Sequence, residues 1–115
     1  MIVARVEHET GMGPYVSYAA DAWHSARFRH PEPEEECLDP HRYGPATRFG
    51  FRDRKQLRIW FWWDEVEKLI QYGCVLSWYE VPDTHVQVSR RQLLFDITQA
   101  RLVHRESLAP LQKGS

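Results

Sequence analysis

No apolar run in this 115-residue sequence approaches the length that a membrane-spanning helix requires. The opening IVARVEHE has neither the basic start nor the long apolar stretch of a secretory leader, so no membrane association is expected and the expected location is the cytoplasm. Cysteine is scarce, with two residues in unlike settings: Cys37 in an acidic loop and Cys74 at the start of an apolar strand. A disulfide framework is therefore not expected. There is no excess of positive charge either, since 15 Lys and Arg face 16 Asp and Glu for a net charge of -1. Proteins that displace counterions from phosphate usually carry a clear basic surplus, so nucleic acid is not the expected main partner. Internal repeats and low-complexity tracts are missing, and a chain of this length closes one core.

Several chemical signatures are also missing. His30, Cys37 and His41 share one loop, but zinc sites are built from close pairs such as CxxC or HxxxH, and none is present. No metal is expected. Gly11 and Gly13 do not make a phosphate loop, which needs more glycine and a lysine, and no nucleophile elbow marks a serine. The glutamates around Cys37 disfavour a thiolate there, and Cys74 reads as a small buried hydrophobe.

What is present is concentrated in Arg52 to Val81. Asp53 followed three residues later by Gln56 has the form of a capping box, and Gly73 suits the left-handed position past a last helical turn. The spacing predicts one long helix, Arg54 to Tyr72, with Leu57, Ile59, Trp63, Val66, Leu69 and Ile70 in the core. Residues 2–9 alternate Ile2, Ala4, Val6 and His8 with Val3, Arg5, Glu7 and Glu9, the period of a strand. After a glycine-containing turn, Ser17 is placed to cap a shorter helix through Ala26. Residues 29–47 hold four of the seven prolines and most of the acidic run, and read as one long surface loop. A short strand is expected in ATRFGF and another in CVLSWYEV, with HVQV pairing back on the latter as a hairpin; QLLFDI and ARLVHRESL supply further strands. The expected fold is a single α+β domain over residues 1–109, its antiparallel or mixed sheet packed on the long helix and the shorter one, with residues 110–115 a disordered tail.

Two basic clusters, Arg52, Arg54, Lys55 and Arg58, and Arg90 and Arg91, read as solvated surface, as does the acidic group Glu32, Glu34, Glu35 and Glu36. Arg5 and His8 are polar groups in an otherwise apolar strand, on opposite pleats. Arg5 either pairs with a carboxylate or faces a cleft, where its planar fork suits phosphate or carboxylate and Tyr15 or a tryptophan stacks on a flat ligand.

The opening RVEHETGMGPY, the segment FGFRDRKQLRIWF and the pairing of WYEV with RRQLLFDITQARLV resemble a family of small bacteriophage and prophage proteins. That resemblance spans most of the chain and implies a host-cell cytoplasmic location. More distantly, the layout resembles small ADP-ribosyltransferase folds. This second resemblance implies NAD as cofactor, held by Arg5, His8, Tyr15, Phe49 and Phe51. Arg5, Glu80 and Gln92 would stand in the catalytic positions. Gln92 falls where such enzymes present a glutamate, and an amide cannot supply the carboxylate's charge, so either the chain lies outside this class, or it keeps the pocket without the usual catalysis, or Glu80 supplies the carboxylate from another strand. The competing expectation is a non-enzymatic protein that binds or inhibits a host protein through aromatic and acidic surface residues; the five tryptophans are more than one small core normally needs.

Overall fold

The structure, a computed structural model, describes residues 1–10, 37–61 and 63–109, with the side chains of 63 and 64 excepted. Strand β1 (Ile2–His8) is followed by β2 (Thr47–Gly50), helices α1 (Arg54–Trp60) and α2 (Trp63–Gln71), and strands β3 (Cys74–Glu80), β4 (Val86–Val88), β5 (Leu93–Asp96) and β6 (Arg101–Glu106). The strands form two three-stranded antiparallel sheets, one in the order β1-β3-β6 and the other β2-β5-β4. This is the expected α+β class.

The two sheets meet where the chain leaves β2. Ala4 and Phe51 exchange both backbone hydrogen bonds, each 2.7 Å, so β1 is paired to β3 along one edge and stitched to the second sheet along the other. Gly50 makes that approach possible. A Cβ built there would stand 2.7 Å from the carbonyl oxygen of Ala4 and 2.8 Å from Cγ1 of Val3, both closer than carbon atoms tolerate. Gly50→Ala is accordingly expected to cost about 1–3 kcal/mol through a forced backbone shift, measured by urea denaturation. A loss below about 0.5 kcal/mol, the range of an ordinary surface substitution, would mean that the two sheets separate without penalty.

Strand alternation divides the core. Ala4, Val6 and Leu76 point to the helices and pack with Phe51, Leu57, Trp60, Phe61, Val66 and Leu69. Val3 and Tyr79 point the other way, into a smaller cluster with Val81, Leu93 and Phe95.

The capping box forms: Asp53 accepts from the Gln56 N–H at 2.8 Å, and the Gln56 side-chain oxygen accepts from the Arg52 N–H at 2.8 Å. Gly73 takes φ +82° and closes α2 as expected. The single long helix does not form. Phe61 is extended, with φ -104° and ψ 119°, and separates α1 from α2. In an unbroken helix neighbouring side chains diverge by about 100°, whereas here consecutive Trp60 and Phe61 are both buried, each against Phe51. Ile59 is the second correction. It is 66 % exposed, because Leu57 and Trp60 take the inward face of α1 and leave Ile59 on the outer one. Leu57, Val66 and Leu69 are buried as expected and Ile70 is half-buried; the side chain of Trp63 lies outside the described residues.

HVQV does not fold back on β3. Val86 and Val88 pair with Phe95 and Leu93 of β5, since Pro82 and the turn Asp83–His85 carry the chain from one sheet to the other. Residues 37–46, the described end of the expected loop, are anchored: Leu38 is buried, and the backbone of Asp39 exchanges two hydrogen bonds of 2.8 and 3.0 Å with the Gln87 side chain. The helix expected after Ser17, the acidic run before Cys37 and the tail 110–115 lie outside the described residues.

Candidate functional site: a buried carboxylate between two arginines

Register on the β1-β3-β6 sheet sets Arg5 opposite Ser77 and Ser77 opposite Arg105, so these side chains share the face that also carries Glu7 and Tyr79. Glu7 is fully buried, and Arg5 is 3 % exposed. A carboxylate in that position is tolerable only if its lone pairs are met by donors. They are. Arg5 Nε donates to Glu7 Oε1 at 3.0 Å, while Tyr79 Oη at 2.6 Å and Arg105 Nη2 at 3.1 Å donate to Oε2. Arg105 Nε donates to Ser77 Oγ at 3.0 Å, which leaves the serine hydroxyl proton for Glu7.

The remaining donors of the two arginines close on backbone. Arg5 Nη1 donates to the Phe49 carbonyl at 2.9 Å, and Arg105 Nη1 to that of Glu9 at 3.1 Å. Burial alone would raise the Glu7 pKa, but the hydrogen bonds from Tyr79, Ser77 and Arg105, together with the charge of Arg5, outweigh it and hold the carboxyl below its ordinary value. Burial lowers the Arg5 pKa against the opposing pull of Glu7. The Tyr79 hydroxyl is pushed up to about 12 by burial and by its bond to Glu7, so it stays a donor. The arrangement is an ionised carboxylate locked among donors, well suited to holding strands together and poorly suited to taking up a proton near neutral pH.

The residues expected to form a nucleotide site are dispersed. Arg5 and Phe49 do meet, with the guanidinium carbon 5.6 Å from the ring centroid. Phe51 is fully buried among Phe49, Trp60 and Phe61. His8 lies on the opposite face of β1, its ring nitrogens 3.8 and 4.0 Å from Cys74 Sγ. Burial raises that thiol to about 11, so it stays neutral. Glu80 sits opposite Ile2 in the register, on the face away from Arg5, exposed and paired with Arg101 at 3.2 Å. Gln92 is buried beside β5 of the other sheet, where its carbonyl accepts from the Ser89 N–H at 2.9 Å. Tyr15 lies outside the described residues.

Sequence reasoning passed over Glu7, Tyr79 and Arg105. A signal existed for Glu7, which shares a pleat with Arg5 two residues away; Arg105 enters from 98 positions further on, and only strand order brings it there.

Among the described residues, no group of three or more His, Cys, Asp or Glu could hold a metal ion, and no helix is long and apolar enough to cross a membrane. Neither a curated protein nor a solved structure matches the chain, and the distant likeness to ADP-ribosyltransferases gains no support from these comparisons. The family described as Bacteriophage T4 Y00F protein matches residues 1–109, all of the chain but its last six residues, and so agrees with the likeness to small phage proteins. The chain therefore belongs to the bacteriophage T4 Y00F protein family.

Proposed function

We propose that this phage-family protein is a non-enzymatic binding protein that acts on a host macromolecule by contact. The observation that carries this reading is the engagement of Arg5. A transferase-like site needs that guanidinium for the anionic part of NAD, yet it is buried and bonded to Glu7 and to the Phe49 carbonyl. Releasing it would leave Glu7 short of a donor in the interior, a change that costs several kcal/mol, roughly 3–5. Glu80, the carboxylate that a catalytic version of that site would draw on, faces the other way.

A thermal-shift titration with NAD, ADP-ribose and ATP tests this directly. Ligands that bind only the native state raise Tm by mass action, and the expected result is no shift with any of the three, alongside retention of a discrete host macromolecule on the immobilised protein. A saturable rise with NAD or ADP-ribose would overturn the reading in favour of a nucleotide site.

A further inference from the structure

The two basic clusters, 38 residues apart when measured from Arg52 to Arg90, become one surface in the fold. The Gln56 side chain joins them. Its oxygen accepts from the Arg52 N–H at 2.8 Å, while its nitrogen donates to the carbonyls of Ser89 and Arg90 at 3.2 and 2.9 Å. The amide is buried, so this junction is a fixed part of the fold and the backbones of Arg52 and Arg90 are held on either side of one side chain. From that junction Arg52, Lys55 and Arg90 extend into solvent, with Arg58 partly exposed one turn further along α1.

Ion pairing sets these four cations apart from four arginines elsewhere in the fold, though not from Arg42, Arg48 and Lys68, which also make no ion pair among the described residues. Arg5, Arg54, Arg101 and Arg105 are each ion-paired, to Glu7, Glu106, Glu80 and Glu7 respectively. Arg52, Lys55, Arg58 and Arg90 make no ion pair among the described residues. Asp53, the carboxylate between Arg52 and Arg54, is directed to the helix cap. The fold thus gathers onto one ridge four cations that make no ion pair among the described residues, a grouping that the overall composition conceals.

We propose that this ridge is a binding site for the phosphodiester backbone of a nucleic acid. Three of the four cations are arginines, whose planar forks accept phosphate oxygens two at a time. An acidic protein would be attracted as well, but protein interfaces are anchored by a buried apolar centre. Among the described residues, the large exposed apolar side chains next to these cations in sequence are Ile59 and Val88. Contacts of this kind attract phosphate without reading bases, so the site is expected to be indifferent to sequence and steeply dependent on salt. The proposal rests on the binding-protein reading and names its partner class.

The test is fluorescence anisotropy with a fluorescein-labelled DNA of about 20 nucleotides, single-stranded and duplex, and with a labelled glutamate-rich peptide. If four cations contact phosphates, the duplex affinity falls with a log-log salt slope of about -3 to -4, or roughly 100-fold between 50 and 200 mM salt. The triple variant R52A/K55A/R90A is expected to lose at least tenfold in DNA affinity at the lower salt while keeping its Tm, since all three side chains are exposed. Failure of both DNAs to bind at low salt, equal affinity in the variant, or binding of the acidic peptide alone would overturn the assignment. Capture of a host protein without DNA binding would defeat this inference and leave the binding-protein reading standing, whereas an NAD-dependent rise in Tm would defeat that reading whatever the DNA result.

Discussion

Glu7→Ala is expected to destabilise the fold by about 3–5 kcal/mol, the range found when one partner of a buried ion pair is removed and the other is left uncompensated. The orphan would be Arg5, which is 3 % exposed and would lose the Nε contact to Glu7 while keeping the Nη1 hydrogen bond to the Phe49 carbonyl. Tyr79 would also lose the acceptor of its 2.6 Å hydrogen bond. The double variant R5M/E7L removes both charges together and fills similar volume, so it should fall well short of the single variant's loss; buried pairs replaced by apolar side chains are often neutral or better. Urea denaturation of the three proteins measures the difference. A Glu7→Ala loss below about 1 kcal/mol would show that solvent reaches Arg5 and that the cluster is not closed.

The same carboxylate gives the fold a pH dependence of defined sign. The Glu7 pKa is lower in the folded chain than its ordinary value of 4.5. A group depressed on folding contributes stability that is complete above its unfolded pKa and is lost as pH falls through the folded one. Wild-type stability should therefore decline on the acid side, below the ordinary glutamate range, and Glu7→Gln should start lower near neutral pH and decline less steeply. Parallel acid slopes for the two proteins would assign the acid sensitivity to other carboxylates.

Local features of this fold were legible because local chemistry determines them. The Asp53–Gln56 cap, the left-handed Gly73 and the alternation of β1 each depend on residues within a few positions. The helix break was not legible by periodicity, since Trp60, Phe61, Trp62 and Trp63 are consecutive aromatics, and a helical stripe does not reveal which of them turns inward. Phe51 decides the matter by offering ring contacts to both Trp60 and Phe61. The destination of β4 was equally hidden, because HVQV alternates equally well against β3 or β5. As for the candidate site, Arg5 was visible as an anomaly in an apolar strand. Its counter-ion Glu7 stands two residues away on the same strand, but the second arginine on that carboxylate, Arg105, depends on β6 lying beside β3, and the merging of the basic clusters depends on one buried glutamine; both are long-range outcomes of the fold.

Phe51→Ala is the sharpest way to separate core from cofactor site, because the two readings of this residue predict opposite patterns. In the fold its ring is fully buried, with centroids 5.7 Å from Trp60, 5.8 Å from Phe61 and 6.0 Å from Phe49. Its backbone carries the bridge to Ala4. Truncating such a ring removes its transfer free energy and leaves a cavity that rigid neighbours cannot close, for an expected loss of about 3–5 kcal/mol. The bridge itself is made by backbone atoms and survives in the alanine chain, so the loss reports packing alone. Phe49 provides the control: its ring is only half-buried, and Phe49→Ala should cost clearly less. Had Phe51 lined a nucleotide site, its removal would have left stability within about 1 kcal/mol and abolished an NAD-dependent rise in Tm. Urea denaturation of both alanine variants, with and without NAD, discriminates the two: a large loss for Phe51, a smaller one for Phe49 and no effect of NAD on either place the aromatic cluster in the core.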